Sequence, residues 1–141
     1  MHVPSESFGG VSPERRAARS LQSFFTFVAA RIVLSQLEGI GRSDLGSYNA
    51  AASTTLRRFL LDEPMRDPAD WLARLMQENE MLGARILEVR AAYAVEDFEW
   101  DNLKRLAIEG LEADNTALLR QHATKHFTVM MDKAGSEERL P

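Results

Sequence analysis

Two histidines have the spacing that would suit a metal site. His122 and His126 are four residues apart, so a helix would place both imidazoles on one face. The residues between them include no glutamate that could act as a general base, and no third ligand stands out. Two solvated histidines near a helix end are the favoured interpretation, which leaves a small metal-dependent enzyme as an alternative.

The densest acidic stretch runs from Glu96 to Asp101 and surrounds Phe98 and Trp100. Paired carboxylates can do acid–base chemistry when burial raises the pKa of one of them, but nothing in the sequence predicts that burial. A solvated helix face is therefore the ordinary interpretation, and docking to a basic partner surface is favoured over catalysis. Trp100 is expected to pack in the core or in a dimer interface.

Three closely spaced phenylalanines predict a distinctive surface. Phe24, Phe25 and Phe27 stand beside small hydroxyl residues. They could belong to the core, or they could line a groove for aromatic side chains of an extended peptide, with Ser20 and Ser23 leaving room. The residues alone leave both interpretations open.

Four polar residues are interleaved with apolar helical positions: Arg31, Gln36, Arg85 and Arg90. Their stems could lie over the core while the polar ends face water. Alternatively, guanidinium forks could contact a partner. Without further information, the first interpretation is favoured.

Composition limits the classes of protein that these residues can serve. The chain has 141 residues, of which 45% are hydrophobic, and a net charge of −4, so it suits one folded domain. A pI of about 5.4 argues against binding nucleic acid through phosphates. No apolar run approaches the roughly 18 residues of a membrane span. The absence of cysteine excludes disulfides, thiol nucleophiles and thiolate metal ligands.

The first helix is predicted to begin at Ser12, an N-cap residue followed by Pro13. Its apolar residues form two stripes. This pattern fits either a helix between its own core and a partner or a wholly buried central helix. The stripes are Leu21, Phe24, Val28 and Ile32, and Phe27, Leu34 and Leu37.

Turn residues divide the rest of the chain. Glycines predict a loop over 39–47, and a second helix follows from about Tyr48 to Leu61, before Pro64. Asp67 should cap a third helix that ends near Glu78. Residues 1–11 are expected to form a flexible arm, residues 12–131 a single helical domain, and residues 132–141 a flexible tail.

A long fourth helix is predicted over 80–127, which lacks proline, with an interruption at Glu96 and Asp97. Its apolar steps of four and three residues resemble a coiled-coil seam. The seam consists of Leu82, Ile86, Val89, Tyr93, Trp100, Leu103, Ala107, Leu111 and Leu118. Such a helix cannot bury its seam within this short chain. The sequence therefore predicts an all-α, four-helix subunit with a long kinked C-terminal helix, paired in a symmetric homodimer.

Three segments resemble RbcX, the Rubisco assembly chaperone family. Residues 21–37, LQSFFTFVAARIVLSQL, are similar to the family's first-helix signature, roughly LQSYLTYQAxRxxxxQL. Residues 84–90, ARILEVR, are similar to its LRIxTVR motif, and residues 96–107, EDFEWDNLKRLA, look like the plant and algal type II branch. With the segment over 70–79, the resemblance covers most of residues 12–127.

The resemblance implies an arc-shaped, all-helical homodimer that needs neither cofactor nor ATP. Such a dimer binds the C-terminal tail of the Rubisco large subunit in a central groove and contacts the folded body with outer polar residues. It thereby stabilises large-subunit dimers during assembly of the octameric core. The implied location is the chloroplast stroma, as a mature form without its import sequence, and a cyanobacterial cytoplasm is less favoured.

The resemblance also assigns residues. Ser20, Phe24 and Phe27 are implied to line the peptide groove, and Gln36 and Arg85 are implied to contact the body of the large subunit. Arg90 is implied to be structural.

The chain departs from the family pattern at two kinds of position. Phe24 and Phe27 replace tyrosines, so any hydroxyl hydrogen bond is lost while the apolar surface remains. The acidic residue expected three positions after Gln36 falls on Gly39, and the adjacent Glu38 points about 100° away on a helix. A helical adaptor that binds another partner's peptide is the alternative to the chaperone.

Overall fold

The computed structural model describes residues 1–4, 6, 9–39 and 46–138, and the chain divides into two compact units, Met1–Phe98 and Glu99–Pro141. The first unit contains α1 (Pro13–Gly39), α2 (Gly46–Asp62), α3 (Pro68–Glu78), α4 (Glu80–Ala92) and a π-helical turn (Tyr93–Asp97). The second contains α5 (Trp100–Glu138). Residues 40–45 of the predicted loop lie outside the described residues. Every regular element of the described chain is helical, which confirms the predicted all-α class.

The predicted capping residues begin two of the helices. Ser12 Oγ accepts a hydrogen bond from the backbone N–H of Arg15 at 3.2 Å. Asp67 Oδ1 accepts one from the N–H of Ala69 at 3.0 Å, with Pro68 directly after the cap. Each oxygen satisfies a backbone donor that the first turn of a helix cannot.

The long C-terminal helix of the prediction is divided into α4 and α5, so the chain has five α-helices among its described residues rather than four. The interruption predicted at Glu96 and Asp97 is confirmed, because those residues lie in the π-helical turn. The physical break comes one residue later, where Phe98 is extended with φ −74° and ψ 126°. A residue in that conformation cannot continue a helical hydrogen-bond ladder.

The core of the first unit forms where α1 packs against α2 and α4, and where α3 packs against α4. Trp71 is its largest fully buried side chain, and its Nε1 donates to the carbonyl of Glu63 at 3.2 Å. The Phe59 ring meets Trp71 edge-on, with centroids 5.9 Å apart. The other buried apolar residues of this core are Ala29, Ala30, Val33, Leu34, Ala52, Leu56, Leu72, Leu75, Leu82 and Ile86.

The expectation that no apolar run approaches the length of a membrane span is wrong for α1, which is apolar enough to cross a membrane by length and composition, since one 18-residue window reaches a mean hydropathy of 1.2. A third of that window is buried within the protein. The apolar composition of α1 is accounted for in part by the core, because Ala29, Ala30 and Val33 on this helix are almost fully buried. The core helix of a globular domain passes the same test.

α5 buries none of its described residues, although many of them are apolar. Along the predicted seam, Trp100, Leu111 and Leu118 remain 47%, 64% and 62% exposed. The helix has 39 residues and would be about 58 Å long if straight. It continues to Glu138, beyond residue 132, where the sequence predicts the flexible tail to start.

Candidate functional site

α1 has a buried side and an apolar side that faces outward. The buried side includes Phe25, Ala29 and Val33. Phe24 and Phe27 lie on the other side, and each is 48% exposed. The interpretation of α1 as a wholly buried central helix is therefore wrong. Its two stripes are explained by a core on one side and an exposed aromatic surface on the other.

The exposed aromatic surface consists of Ser20, Phe24 and Phe27, which follow one another at helical spacings of four and three. Ser20 is exposed, and its hydroxyl donates to the carbonyl of Arg16 at 3.5 Å. A serine hydroxyl turned back on its own helix leaves little side-chain volume above the backbone. The stripe thus offers two apolar rings beside a small residue, as the groove interpretation requires.

A cluster of three aromatic rings supports this surface from behind. The Phe25 ring lies 4.8 Å from that of Phe98 and 6.0 Å from that of Tyr93, both edge-on. Phe24 lies 6.0 Å from Phe25 at the margin of the cluster. Edge-to-face rings at these separations attract through their quadrupoles. The cluster therefore fixes the π-helical turn against α1, beneath the exposed stripe.

Sequence reasoning missed the part that Tyr93 and Phe98 play in this support. Tyr93 was placed in the long seam, and Phe98 in a solvated acidic stretch. The only available signal is an aromatic residue among carboxylates, directly after the interruption predicted at Glu96 and Asp97. That pattern indicates a side chain turned inward while its neighbours face water.

Gln36 and Arg85 are brought together although they are 49 residues apart in the chain. Arg85 Nη2 donates to Gln36 Oε1 at 3.3 Å, and Arg85 Nη1 lies 3.5 Å from a carboxylate oxygen of Glu88. Both Gln36 and Arg85 are exposed. This joining of α1 and α4 creates one polar patch from the two residues that the resemblance assigns to contact with the large-subunit body.

The polar patch borders a shallow cavity of about 380 Å³. Ile32, Val89 and Tyr93 supply its apolar lining, while Glu88 and Asp97 supply carboxylates. Gln36 is nine residues beyond Phe27 on α1, an axial distance of about 13 Å. The aromatic stripe and the polar patch are therefore separate contact areas, and Gln36 places the polar patch farther along α1 than the stripe.

Arg90 holds α4 to α1 in the way that the resemblance implies for a structural residue. Its Nη1 donates to Thr26 Oγ1 at 3.1 Å, and the same hydroxyl donates to the carbonyl of Gln22 at 2.8 Å. Thr26 is fully buried. Because a hydrogen bond from a charged guanidinium is stronger than one between neutral groups, the bond from Arg90 stabilises the packing of the two helices.

Glu38 is committed to a contact within the fold. Its carboxylate bonds the guanidinium of Arg57 on α2. The two side chains are 44% and 59% exposed, so the pair contributes little to stability. It nevertheless turns Glu38 toward α2, and Gly39, the last residue of α1, has no side chain to offer. Glu88 supplies the carboxylate nearest to Arg85 instead.

The residues considered for metal or acid–base chemistry are His122, His126 and the carboxylates around Phe98, and all of them are exposed. The His122 and His126 rings stack with centroids 6.3 Å apart. Among the described residues, no group of three or more histidine or carboxylate ligands could hold a metal ion. The carboxylates of Glu96, Asp97 and Glu99 are exposed.

Comparison with known proteins gives one consistent result. A family model described as RbcX protein matches residues 13–128. The chloroplastic chaperonin-like RBCX protein 1 of Arabidopsis thaliana is 44% identical over 138 residues, covering 94% of this chain and 74% of the relative. The RuBisCO chaperone RbcX of an Anabaena strain is 28% identical over 120 residues, covering 85% of this chain and 81% of the relative.

Solved structures give the same likeness. The crystal structure of RbcX-IIa from Chlamydomonas reinhardtii matches with a TM-score of 0.69 and 43% identity, covering 85% of this chain and 98% of that one. A second crystal structure, of RbcX-IIa from the same alga in complex with the RbcL C-terminal tail, matches with a TM-score of 0.68 and 42% identity. It covers 78% of this chain and 96% of the other.

Proposed function

This chain belongs to the RbcX family, and on that premise we propose that it is an ATP-independent assembly chaperone for the large subunit of Rubisco. The observation that carries the proposal is the exposed pair Phe24 and Phe27 on the outward side of α1. A similar algal protein has been crystallised with the RbcL C-terminal tail, so a peptide of that kind is the natural occupant of this surface.

The binding groove is formed by Ser20, Phe24 and Phe27. Extended tails bind such surfaces by inserting aromatic side chains against apolar rings. Each buried aromatic side chain of the tail contributes about 1.5–3 kcal/mol. After the cost of ordering a flexible peptide, two such insertions give an affinity on the order of micromolar. That affinity suits a chaperone that must release its client.

The functional unit is an arc-shaped homodimer in which residues 12–131 of each chain act as one helical domain. Its support is α5, whose long apolar seam is exposed in the single chain. A two-fold axis would bring the two copies of this surface together in one central groove, and the symmetry would let one dimer engage two tails. The resulting avidity would exceed the affinity for either tail.

The polar patch of Gln36 and Arg85 contacts the folded body of the large subunit. The guanidinium of Arg85 already bonds the Gln36 amide, which positions its fork for a partner carboxylate or carbonyl. A tail in the groove and a body against the patch would together stabilise large-subunit dimers during assembly of the octameric core.

The location follows from the partner and from the relatives. The Arabidopsis relative is named chloroplastic, and we place this chain in the chloroplast stroma. The protein acts by binding its client, so no catalytic residue, metal or cofactor is needed.

The test replaces Phe27 by alanine and measures binding of a labelled large-subunit tail peptide by fluorescence anisotropy. Because Phe27 is 48% exposed, Phe27→Ala should leave the fold and the dimer intact but abolish binding at micromolar concentrations. Leu61→Ala is the matched control, since Leu61 on α2 is 78% exposed and outside the groove. Normal peptide binding by Phe27→Ala would show that the groove is assigned wrongly.

A contrasting variant separates the groove from the polar patch. Arg85→Ala should bind the tail peptide normally and capture the whole large subunit less well. Equal losses in both assays would place Arg85 in the groove or in the fold.

A further inference from the structure

A cavity with a volume of about 840 Å³ lies in the first unit. It is bounded by the start of α1, the start of α3 and the end of α4. Four arginines line it: Arg16, Arg19, Arg66 and Arg90. Arg16, Arg19 and Arg66 are exposed and Arg90 is half-buried, so the four arginines border an open space.

The positive charge of this arginine cavity is poorly compensated. Among the described residues, Asp67 is the only carboxylate in its lining, and it already accepts a hydrogen bond from the N–H of Ala69 as the cap of α3. The ion pairs found within the described part of the chain use other arginines, namely Arg57, Arg58, Arg74, Arg85 and Arg105. In a chain with a net charge of −4, this concentration of positive charge is a local feature that invites an anionic occupant.

The arginine cavity is continuous with the proposed peptide groove. Ser20 lines both, and Phe25, the neighbour of Phe24, also lines the cavity. Arg19 is five residues before Phe24, an axial distance of about 7.5 Å along α1. An extended peptide advances about 3.3 Å per residue, so it would cover this distance in two or three residues.

We propose that the arginine cavity binds carboxylate side chains of the same extended peptide whose aromatic side chains fill the groove. The inference rests on the proposed function and adds a ligand chemistry to it, namely acidic residues two or three positions from an aromatic residue. Guanidinium groups suit this task because their planar forks match carboxylate oxygens in pairs. Arg90 is held by its bond to Thr26 and so adds a fixed positive charge to the inner wall.

The experiment compares two peptides and two proteins in a double-mutant cycle. One peptide is the large-subunit tail, and the other is the same tail with every carboxylate replaced by its amide. The proteins are the full-length dimer and the variant Arg16→Gln/Arg19→Gln. Binding of the acidic peptide should weaken by about 3- to 10-fold in the variant, as expected for partly exposed ion pairs, and the difference should shrink in high salt. Binding of the amide peptide should be unchanged.

Arg15→Gln and Arg31→Gln are the matched controls, because both arginines are exposed on α1 and neither lines the cavity. Equal weakening by the control and cavity variants would overturn the inference, because general attraction would then explain it. Equal binding of the two peptides by the unmodified protein would overturn the inference and leave the proposed function intact. A shift of Arg16→Gln/Arg19→Gln to monomer would identify the cavity as a subunit interface and also overturn it.

Failure of the unmodified protein to bind either peptide would remove the proposed function, and the inference with it. Loss of both peptides by Phe27→Ala, with selective loss of the acidic peptide by the arginine variant, would support both.

Discussion

The two tryptophans lie in opposite environments, and the contrast describes the whole chain. Trp71 is fully buried between α2 and α3, with its Nε1 bonded to a backbone carbonyl. Trp100 begins α5 and is 47% exposed. The first unit thus buries a core of its own although it exposes Phe24 and Phe27, whereas α5 displays a row of apolar residues and buries none of its described residues. The difference teaches that one unit folds around its own core and the other depends on a second surface.

The largest effect should come from removing Trp71. Trp71→Ala would leave a cavity in the centre of the first unit and remove the edge-on contact with Phe59. The free energy of unfolding should fall by about 3–5 kcal/mol. Urea denaturation followed by circular dichroism measures the change.

Trp100→Ala is the matched control for this prediction. Within its own chain a half-exposed ring forms fewer contacts, so in a sample diluted until the protein is monomeric its loss should lower the free energy of unfolding much less than the loss of Trp71. If the two substitutions destabilise the protein equally, the contrast between the self-contained unit and α5 is wrong.

A change of intermediate size should follow from charging the seam of α5. Leu111→Asp/Leu118→Asp places two carboxylates where the proposed dimer would bury two leucines that are 64% and 62% exposed in the single chain. Burying unpaired charges is strongly unfavourable. The solution mass measured by sedimentation should fall from twice 15.9 kDa to 15.9 kDa.

Leu61→Asp introduces a similar charge on α2, at a side chain that is 78% exposed, and should leave the dimer intact. A seam variant that keeps the larger mass would show that the dimer, if it forms, uses another surface.

Features of the fold that depend on contacts between residues close in the sequence can be predicted, and features that depend on distant contacts cannot. Ser12 and Asp67 act on backbone groups two or three residues away, so a reader of the sequence can place the helix starts from them. An interruption at Glu96 and Asp97 is also predicted from the sequence, one residue before the extended Phe98. The separation into α4 and α5 depends on Phe98 packing against Phe25, a contact across more than seventy residues, which periodicity cannot reveal.

The candidate site was predicted only in part for the same reason. Exposed rings at Phe24 and Phe27 were one of two interpretations of the stripes, since a helical pattern shows which residues share a face but not what covers it. The bond between Gln36 and Arg85 and the arginine cavity arise from helix packing. The family resemblance assigns Gln36 and Arg85 to one contact surface, whereas nothing in the sequence predicts the arginine cavity.

The smallest effects should come from two glycines, one in each region. A Cβ added at Gly83 on α4 would lie 2.1 Å from Met76 Cγ on α3, whereas a Cβ at Gly110 on α5 would meet nothing within 4 Å. Gly83→Ala should therefore force α3 and α4 apart and lower the free energy of unfolding by about 1–3 kcal/mol. Gly110→Ala should raise helix stability by about 0.5–1 kcal/mol, since alanine restricts the unfolded backbone and favours the helix.

The double variant Gly83→Ala/Met76→Ala relieves the clash and should recover part of the loss, as measured by thermal unfolding. If Gly83→Ala lowers the stability and Gly110→Ala raises it, close packing between helices is confined to the first unit. A destabilising Gly110→Ala would instead mean that another chain approaches α5 at that point, because the single chain leaves room for the methyl group. The two substitutions therefore show which region packs against residues of its own chain and which region packs against a partner chain.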